Sequence, residues 1–225
     1  MNRVARVWRP RRVKLKRYSQ LTRALAEIPC QNLVEIGTWN GRRAEELARA
    51  ALRHNLAVTY HGFDLFEALT DEELEEELSK RPPPRLEVEA RLRRFQRRAS
   101  ILRVPRRSGY RRFDFSLHQG HTRETLPAFR AANPTFQAQF IFIDGGHRVD
   151  TIRSDWENCS ELVDPRGAIF LDDFYGDEQL AERFGCNQLV RTLRANPAWD
   201  VDVLPATDRI EGLGTIQIVR VRPRR

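Results

Sequence analysis

The chain has 225 residues, enough for one well-packed core and short for two, with 40% hydrophobic and 31% charged residues. No apolar stretch approaches the ~20 residues a membrane helix needs, and no secretory-type apolar region opens the sequence, so a soluble cytoplasmic protein is expected. The formal charge is +8, but 36 of the 39 basic residues are Arg spread along the whole chain. The basic clusters at 3–17, 91–112 and 220–225 lack the interleaved aromatics that single-strand binders use, so nucleic acid is an alternative partner and not the leading one.

Residues 1–17 read as a basic, solvated N-terminal arm, and 18–225 as one domain. Ser19 caps a helix over 20–27. Strands and helices then alternate: a strand at 32–36, a helix at 41–54, and a strand at 58–64. After an insertion at 65–108 come a strand at 113–118, a helix at 122–132, a strand at 140–144, a helix at 150–162 and a strand at 168–172. A helix at 186–195 and strands at 199–204 and 215–221 complete the chain. Strands spaced by helical patterns of ~10–15 residues predict an α/β, doubly wound, mostly parallel sheet. The insertion holds an acidic helix, the break Pro82-Pro83-Pro84 and a basic helix. It reads either as a hairpin held by complementary charge or as a lid over a substrate site.

The turn Val34-Glu-Ile-Gly-Thr-Trp-Asn-Gly41 ends a strand in acid and opens a helix through two glycines, which let a ligand approach the backbone closely. It lacks the G-x-G-x-x-G spacing of dinucleotide binders and the Lys-Ser/Thr of a P-loop, and Glu35 would repel a pyrophosphate. Asp64 closes the next strand, where such sheets place an acid on ribose hydroxyls. Together these features favour an adenosine that carries positive charge.

These residues resemble the class I S-adenosylmethionine-dependent methyltransferases, and within them the macrocin-type O-methyltransferase branch. The likeness rests on Glu35 to Gly41, Gly62 to Glu67, Gly120 to Pro127, Asp144-Gly-Gly-His147, Asp155-Trp156 and Asp172-Asp173-Phe174, and spans most of 30–220. It implies a Rossmann-like sheet of seven strands with the last antiparallel. It also implies that Glu35, Gly37, Thr38 and Gly41 surround the methionine moiety, that Asp64 holds the ribose, and that Gln119, Gly120 and His121 lie near adenine. One departure is Pro165-Arg166-Gly167, where the branch often has Gly-Gly.

Asp144, Asp172 and Asp173 end two apolar strands, and parallel-sheet geometry would bring them to one crevice. Like charges ~4 Å apart cost on the order of 4 kcal/mol at an effective dielectric of 20, so a cation or shared proton is required. An all-oxygen set suits a divalent metal, Mg²⁺ first, and relatives use equivalent acids that way. Asp144 is thus expected to serve the metal, the cosubstrate and catalysis. His147, three residues beyond it, is the candidate base for an acceptor hydroxyl, with a capping or loop histidine as the plainer reading. His118 and His121 are candidate adenine or substrate contacts; His54 and His61 read as structural, and Cys30, Cys159 and Cys186 as buried thiols. The expected function is O-methylation of a small hydroxylated molecule, such as a sugar or natural product, with self-association also admitted. The alternatives are an RNA or protein methyltransferase and a relative with changed chemistry.

Overall fold

A computed structural model describes residues 16–77, 80–101, 110–211 and 214–224. Its strands are β1 (Asn32–Ile36), β2 (Ala57–Asp64), β3 (Arg112–Gln119), β4 (Ala138–Ile143), β5 (Val163–Tyr175), β6 (Trp199–Val203), β7 (Asp208–Ile210) and β8 (Gly214–Pro223). They form one sheet of order β3-β2-β1-β4-β5-β8-β6, with β7 paired to β8. β1 to β5 run parallel, and β8 lies antiparallel between β5 and β6. The expected doubly wound architecture with an antiparallel final strand is therefore present. The short β7 was not anticipated, because three residues with a charged centre carry no apolar run.

The helices are α1 (Ser19–Glu27), α2 (Arg42–Ala51), α3 (Asp71–Glu76), α4 (Arg85–Ile101), α5 (Thr122–Ala132), α6 (Val149–Ser160), α7 (Glu178–Ala181) and α8 (Asn187–Ala195). Strand periodicity divides the apolar residues between two layers. Leu33, Phe140, Phe142 and Phe170 face Leu21, Leu25, Leu47, Leu92 and Phe95 from α1, α2 and α4. Val34, Ile36, Ile141, Ile143, Ile169 and Leu171 face Leu126, Phe129, Trp156, Leu189 and Val190 from α5, α6 and α8. All three cysteines are free and buried, and burial pushes their thiols up.

The insertion does not fold as a charge-matched hairpin: among the described residues no ion pair joins α3 to α4. α4 turns Val88, Leu92, Phe95 and Ala99 into the core and packs on α2 and β3. α3 buries nothing of its own and stands instead over the carboxyl ends of the parallel strands. Its start is fixed by a capping box between Thr70 and Glu73. Residues 1–15 of the expected arm lie outside the described residues. Lys16 and Arg17, assigned to that arm, join the fold, and Arg17 is 4% exposed. No helix among the described residues is long and apolar enough to cross a membrane.

Candidate active site

Parallel strands send their carboxyl ends to one edge of the sheet, and there the loops after β1 to β5 border a cleft of about 1020 Å³. Gly37, Thr38, Asp64, Gly120, His121, Asp144, His147 and Asp173 line it. Glu35, Gly41, Gln119 and Asp172 stand behind that lining.

Gly37 has a φ of 85°, and a Cβ there would run into the carbonyl of Asp144. The glycine lets the β1 loop pass against the end of β4, where Asp144 N–H donates to Ile36 O at 2.8 Å, while the Gly37 N–H donates to Phe63 O of β2 at 2.8 Å. Gly41 (φ 69°) starts α2 in the left-handed region. Thr38, Tyr60 and Glu35 form a buried chain, with the Tyr60 hydroxyl donating to Glu35 Oε2 at 2.5 Å and lying 3.1 Å from Thr38 Oγ1. Burial pushes Glu35 up to about 8 despite that bond, and its Oε1 has no partner.

Asp64 accepts Trp39 N–H on one oxygen and Phe66 N–H on the other, both at 2.7 Å. Burial raises its pKa, and these backbone donors oppose the rise. Gln119 turns its amide to Leu65 O at 3.4 Å. His121 precedes α5 and faces Glu73 of α3 at 3.3 Å. His118, one of two candidate adenine or substrate contacts, stacks on Phe63 at 4.3 Å between ring centroids and meets His61 at 3.2 Å. Burial lowers His61 to about 4.

The two consecutive acids of β5 sit in a bulge. Register jumps from Leu171–Val219 to Phe174–Gln217, so Asp172 and Asp173 together oppose Ile218. Asp173 takes a left-handed φ of 58° there. The bulge brings both carboxylates to the same end as Asp144, as the sequence suggested, and burial plus mutual repulsion raises Asp144 well above the usual carboxylate range. Burial, then Asp172, pushes Asp173 up to about 6.

The compensating groups come from the other end of the chain. Arg17 Nη2 pairs with Asp172 Oδ2 at 2.9 Å, and the Tyr18 hydroxyl lies 2.8 Å from the same oxygen and 3.2 Å from Asp144 Oδ2. Burial alone would lower Arg17, but Asp172, Tyr18 and Asp144 hold it above its ordinary value. This arrangement does not fit the expected Mg²⁺ among Asp144, Asp172 and Asp173. A hard divalent cation needs six or more oxygens at ~2.0–2.6 Å, whereas Asp172 Oδ2 already receives a guanidinium and a phenol. A second cation ~4 Å from the first would meet repulsion on the order of 8 kcal/mol at an effective dielectric of 20. Among the described residues no three His, Cys, Asp or Glu side chains are arranged to hold a metal ion.

His147 is held from both sides. Its Nδ1 meets the carbonyl of Glu77, an oxygen that can only accept, so Nδ1 carries a proton and the ring is turned with Nε2 toward Asp173. Nε2 lies 3.3 Å from Asp173 Oδ2. The Glu77 carboxylate also accepts Arg148 N–H at 2.8 Å and the Thr151 hydroxyl at 2.5 Å, clasping α3 to the loop after β4.

Sequence reasoning missed Arg17, Tyr18 and Glu77, and it gave Asp155, named only among the residues of the family likeness, no role in the site. Asp155 lines the cleft at 1% exposure with neither oxygen partnered, and burial pushes it up to about 7. Its signal was an acid on the buried face of α6, beside Ile152, Trp156 and Cys159.

Fold and site together define an S-adenosylmethionine-dependent methyltransferase. A family model described as a methyltransferase domain matches residues 34–174, well over half of the chain, and the chain belongs to that family. No curated protein matches. Among solved structures, the fold is similar to the O-methyltransferase TomG of Streptomyces achromogenes, involved in tomaymycin synthesis and in complex with S-adenosylmethionine, at 14% identity and a TM-score of 0.62, covering 93% of this chain and 81% of that one. An O-methyltransferase from Bacillus cereus in complex with S-adenosylhomocysteine gives 14% identity and 0.61, covering 96% and 84%. The calicheamicin methyltransferase CalS11 gives 18% and 0.59, covering 90% and 76%. At such identities the likeness establishes the fold.

Proposed function

We propose that this chain transfers a methyl group to a hydroxyl oxygen of a small molecule, with His147 as the proton acceptor. The observation that carries the proposal is the fixed position of His147 in the cleft lining, held by the Glu77 carbonyl on Nδ1 with Nε2 turned to Asp173. Bound S-adenosylmethionine supplies the electrophilic methyl on a sulfonium. The residues present suit such a ligand: Asp64, Asp155 and Asp173 give the cleft an anionic lining, and Glu35 and Asp155 hold buried oxygens without partners.

In this reading Gly37, Thr38, Gly41 and Glu35 shape the methionine end, Asp64 the ribose end, and Gln119, Gly120 and His121 the base end. Making an ether from an alcohol releases one proton. Nε2 of His147 takes it, and the Asp173 carboxylate 3.3 Å away stabilises the imidazolium. Asp144 acts as a hydrogen-bonding wall of the acceptor site, and no step runs through a metal. The catalytic unit is residues 18–225 together with Lys16 and Arg17, and the 65–108 insertion forms part of its cleft wall.

A small acceptor is favoured over RNA by the mouth of the cleft. Glu73, Glu76 and Glu77 of the α3 segment border it, and nine Asp and Glu against six Lys and Arg in the lining disfavour a polyanion there. The exposed Arg93, Arg94, Arg97 and Arg98 lie on the outer face of α4. The test is to offer pools of sugars, phenols and polyketide-type alcohols and follow S-adenosylhomocysteine release. A hit with the wild type that disappears in His147→Ala supports the proposal. Methylation of RNA alone would replace it.

A further inference from the structure

We propose that Arg17 and Tyr18 form a tethered cation and hydrogen-bond donor that take the place of a divalent metal beside Asp144 and Asp172, so that the N-terminal segment completes the acceptor end of the cleft. The acceptor role rests on the methyl-transfer reading above; the displacement of the metal does not.

The segment is built into position. Asp208, 8% exposed, accepts the backbone N–H groups of Lys16 at 2.9 Å and Arg17 at 3.3 Å. Gln20 exchanges hydrogen bonds with Ala206, at 2.9 and 3.3 Å. These bonds fix the main chain just before α1, so the Arg17 side chain has one direction in which to extend. Its guanidinium reaches Asp172 Oδ2 and also donates to the Tyr18 hydroxyl, each at 2.9 Å. The Tyr18 ring is held in turn by Arg43, whose guanidinium carbon lies 3.8 Å from the ring centroid, and by the edge of Phe142 at 6.1 Å.

A divalent metal in such a cluster would supply positive charge and orient an acceptor oxygen. Arg17 supplies the charge and Tyr18 a hydroxyl directed between two carboxylates. Arg17 Nε and Nη1 and Asp172 Oδ1 are buried without partners. They leave guanidinium donors beside a carboxylate acceptor, and a hydroxyl group can answer both kinds.

Mn²⁺ is the probe, read by electron paramagnetic resonance and by its effect on the melting temperature. Wild type and Arg17→Lys should bind no stoichiometric Mn²⁺ at this cluster and should melt alike in Mn²⁺ and in EDTA. Arg17→Met should gain a site for a single Mn²⁺, lost again when Asp172→Asn is added. Wild-type binding of one Mn²⁺ that Asp144→Asn or Asp172→Asn removes would overturn the proposal, as would a folded Arg17→Met that binds none. If Arg17→Met does not fold without metal, its refolding on Mn²⁺ is the expected result, and the wild-type measurement decides alone should it stay unfolded. Calorimetry with S-adenosylhomocysteine runs alongside: its failure would count against the methyltransferase reading and leave the Mn²⁺ result standing.

Discussion

Trp39 donates its backbone N–H to Asp64 Oδ2 at 2.7 Å, across the gap between the β1 and β2 loops. The other Asp64 oxygen takes Phe66 N–H at the same distance. Both donors are non-glycine residues with positive φ, 46° and 49°. Such backbone costs of order 1–3 kcal/mol per residue and persists where surroundings impose it. The carboxylate is what imposes it here. Asp64→Ala should therefore lower the melting temperature as well as weaken S-adenosylhomocysteine binding, with Asp64→Asn intermediate because one acceptor oxygen remains. Calorimetry and thermal melts on the same samples check this, and a loss of affinity at unchanged melting temperature would contradict the clamp.

Glu35 makes stability depend on pH. Its folded pKa of about 8 exceeds the ordinary 4.5, because burial penalises the charged form. The folded state therefore holds a proton that the unfolded state releases, and stability is present at low pH and lost as pH rises from 4.5 to about 8. Asp155 adds a loss in the same direction up to about 7. The melting temperature should fall between pH 5 and 8 in the wild type and fall less in Glu35→Gln, which keeps an acceptor for Tyr60. Parallel curves for the two proteins would remove Glu35 as the cause.

His147→Ala should leave S-adenosylhomocysteine affinity nearly unchanged and cut turnover on an identified acceptor by roughly 10²–10⁴, the usual worth of a general base. Asp173→Asn removes the charge that stabilises the imidazolium and should lower kcat without a matching change in cosubstrate affinity. Steady-state kinetics with both variants separates base from scaffold.

Glu77→Ala removes the carboxylate that ties α3 to Arg148 and Thr151. The Glu77 carbonyl then loses its anchor and His147 its fixed orientation. Turnover should fall while cosubstrate binding and melting temperature change little, since α3 buries no side chain. Hydrogen exchange over 70–77 should rise in the variant; unchanged exchange would count against the clasp.

The strands were legible because their apolar runs are unbroken: Phe140 to Ile143 and Ala168 to Leu171 have one solution, a strand buried on both faces. The meeting of Asp144 with Asp172 and Asp173 followed from strand direction alone. What local pattern could not carry were partners at long range. Arg17 and Asp172 are 155 residues apart in sequence, and nothing near either one signals the other. Charge complementarity within the insertion pointed to α3 against α4, yet α3 met the loop after β4 because Glu77 there finds a histidine, a backbone N–H and a threonine hydroxyl. The counter-charge of the three acids escaped for the same reason: the acids were counted correctly, and Arg17 lay in a segment read as solvated.

The position of β8 between β5 and β6 sets an order on folding during synthesis. Ile169 and Leu171 pair with Val221 and Val219, so the β5 edge has no partner until the last of these strands leaves the ribosome. Until then its apolar stretch Ala168 to Leu171 presents free backbone donors and acceptors, a template for pairing with another nascent chain. The growing chain thus passes through its most aggregation-prone stage late, when most of the parallel sheet is already available to form, and a stop codon between 176 and 214 would leave it there permanently.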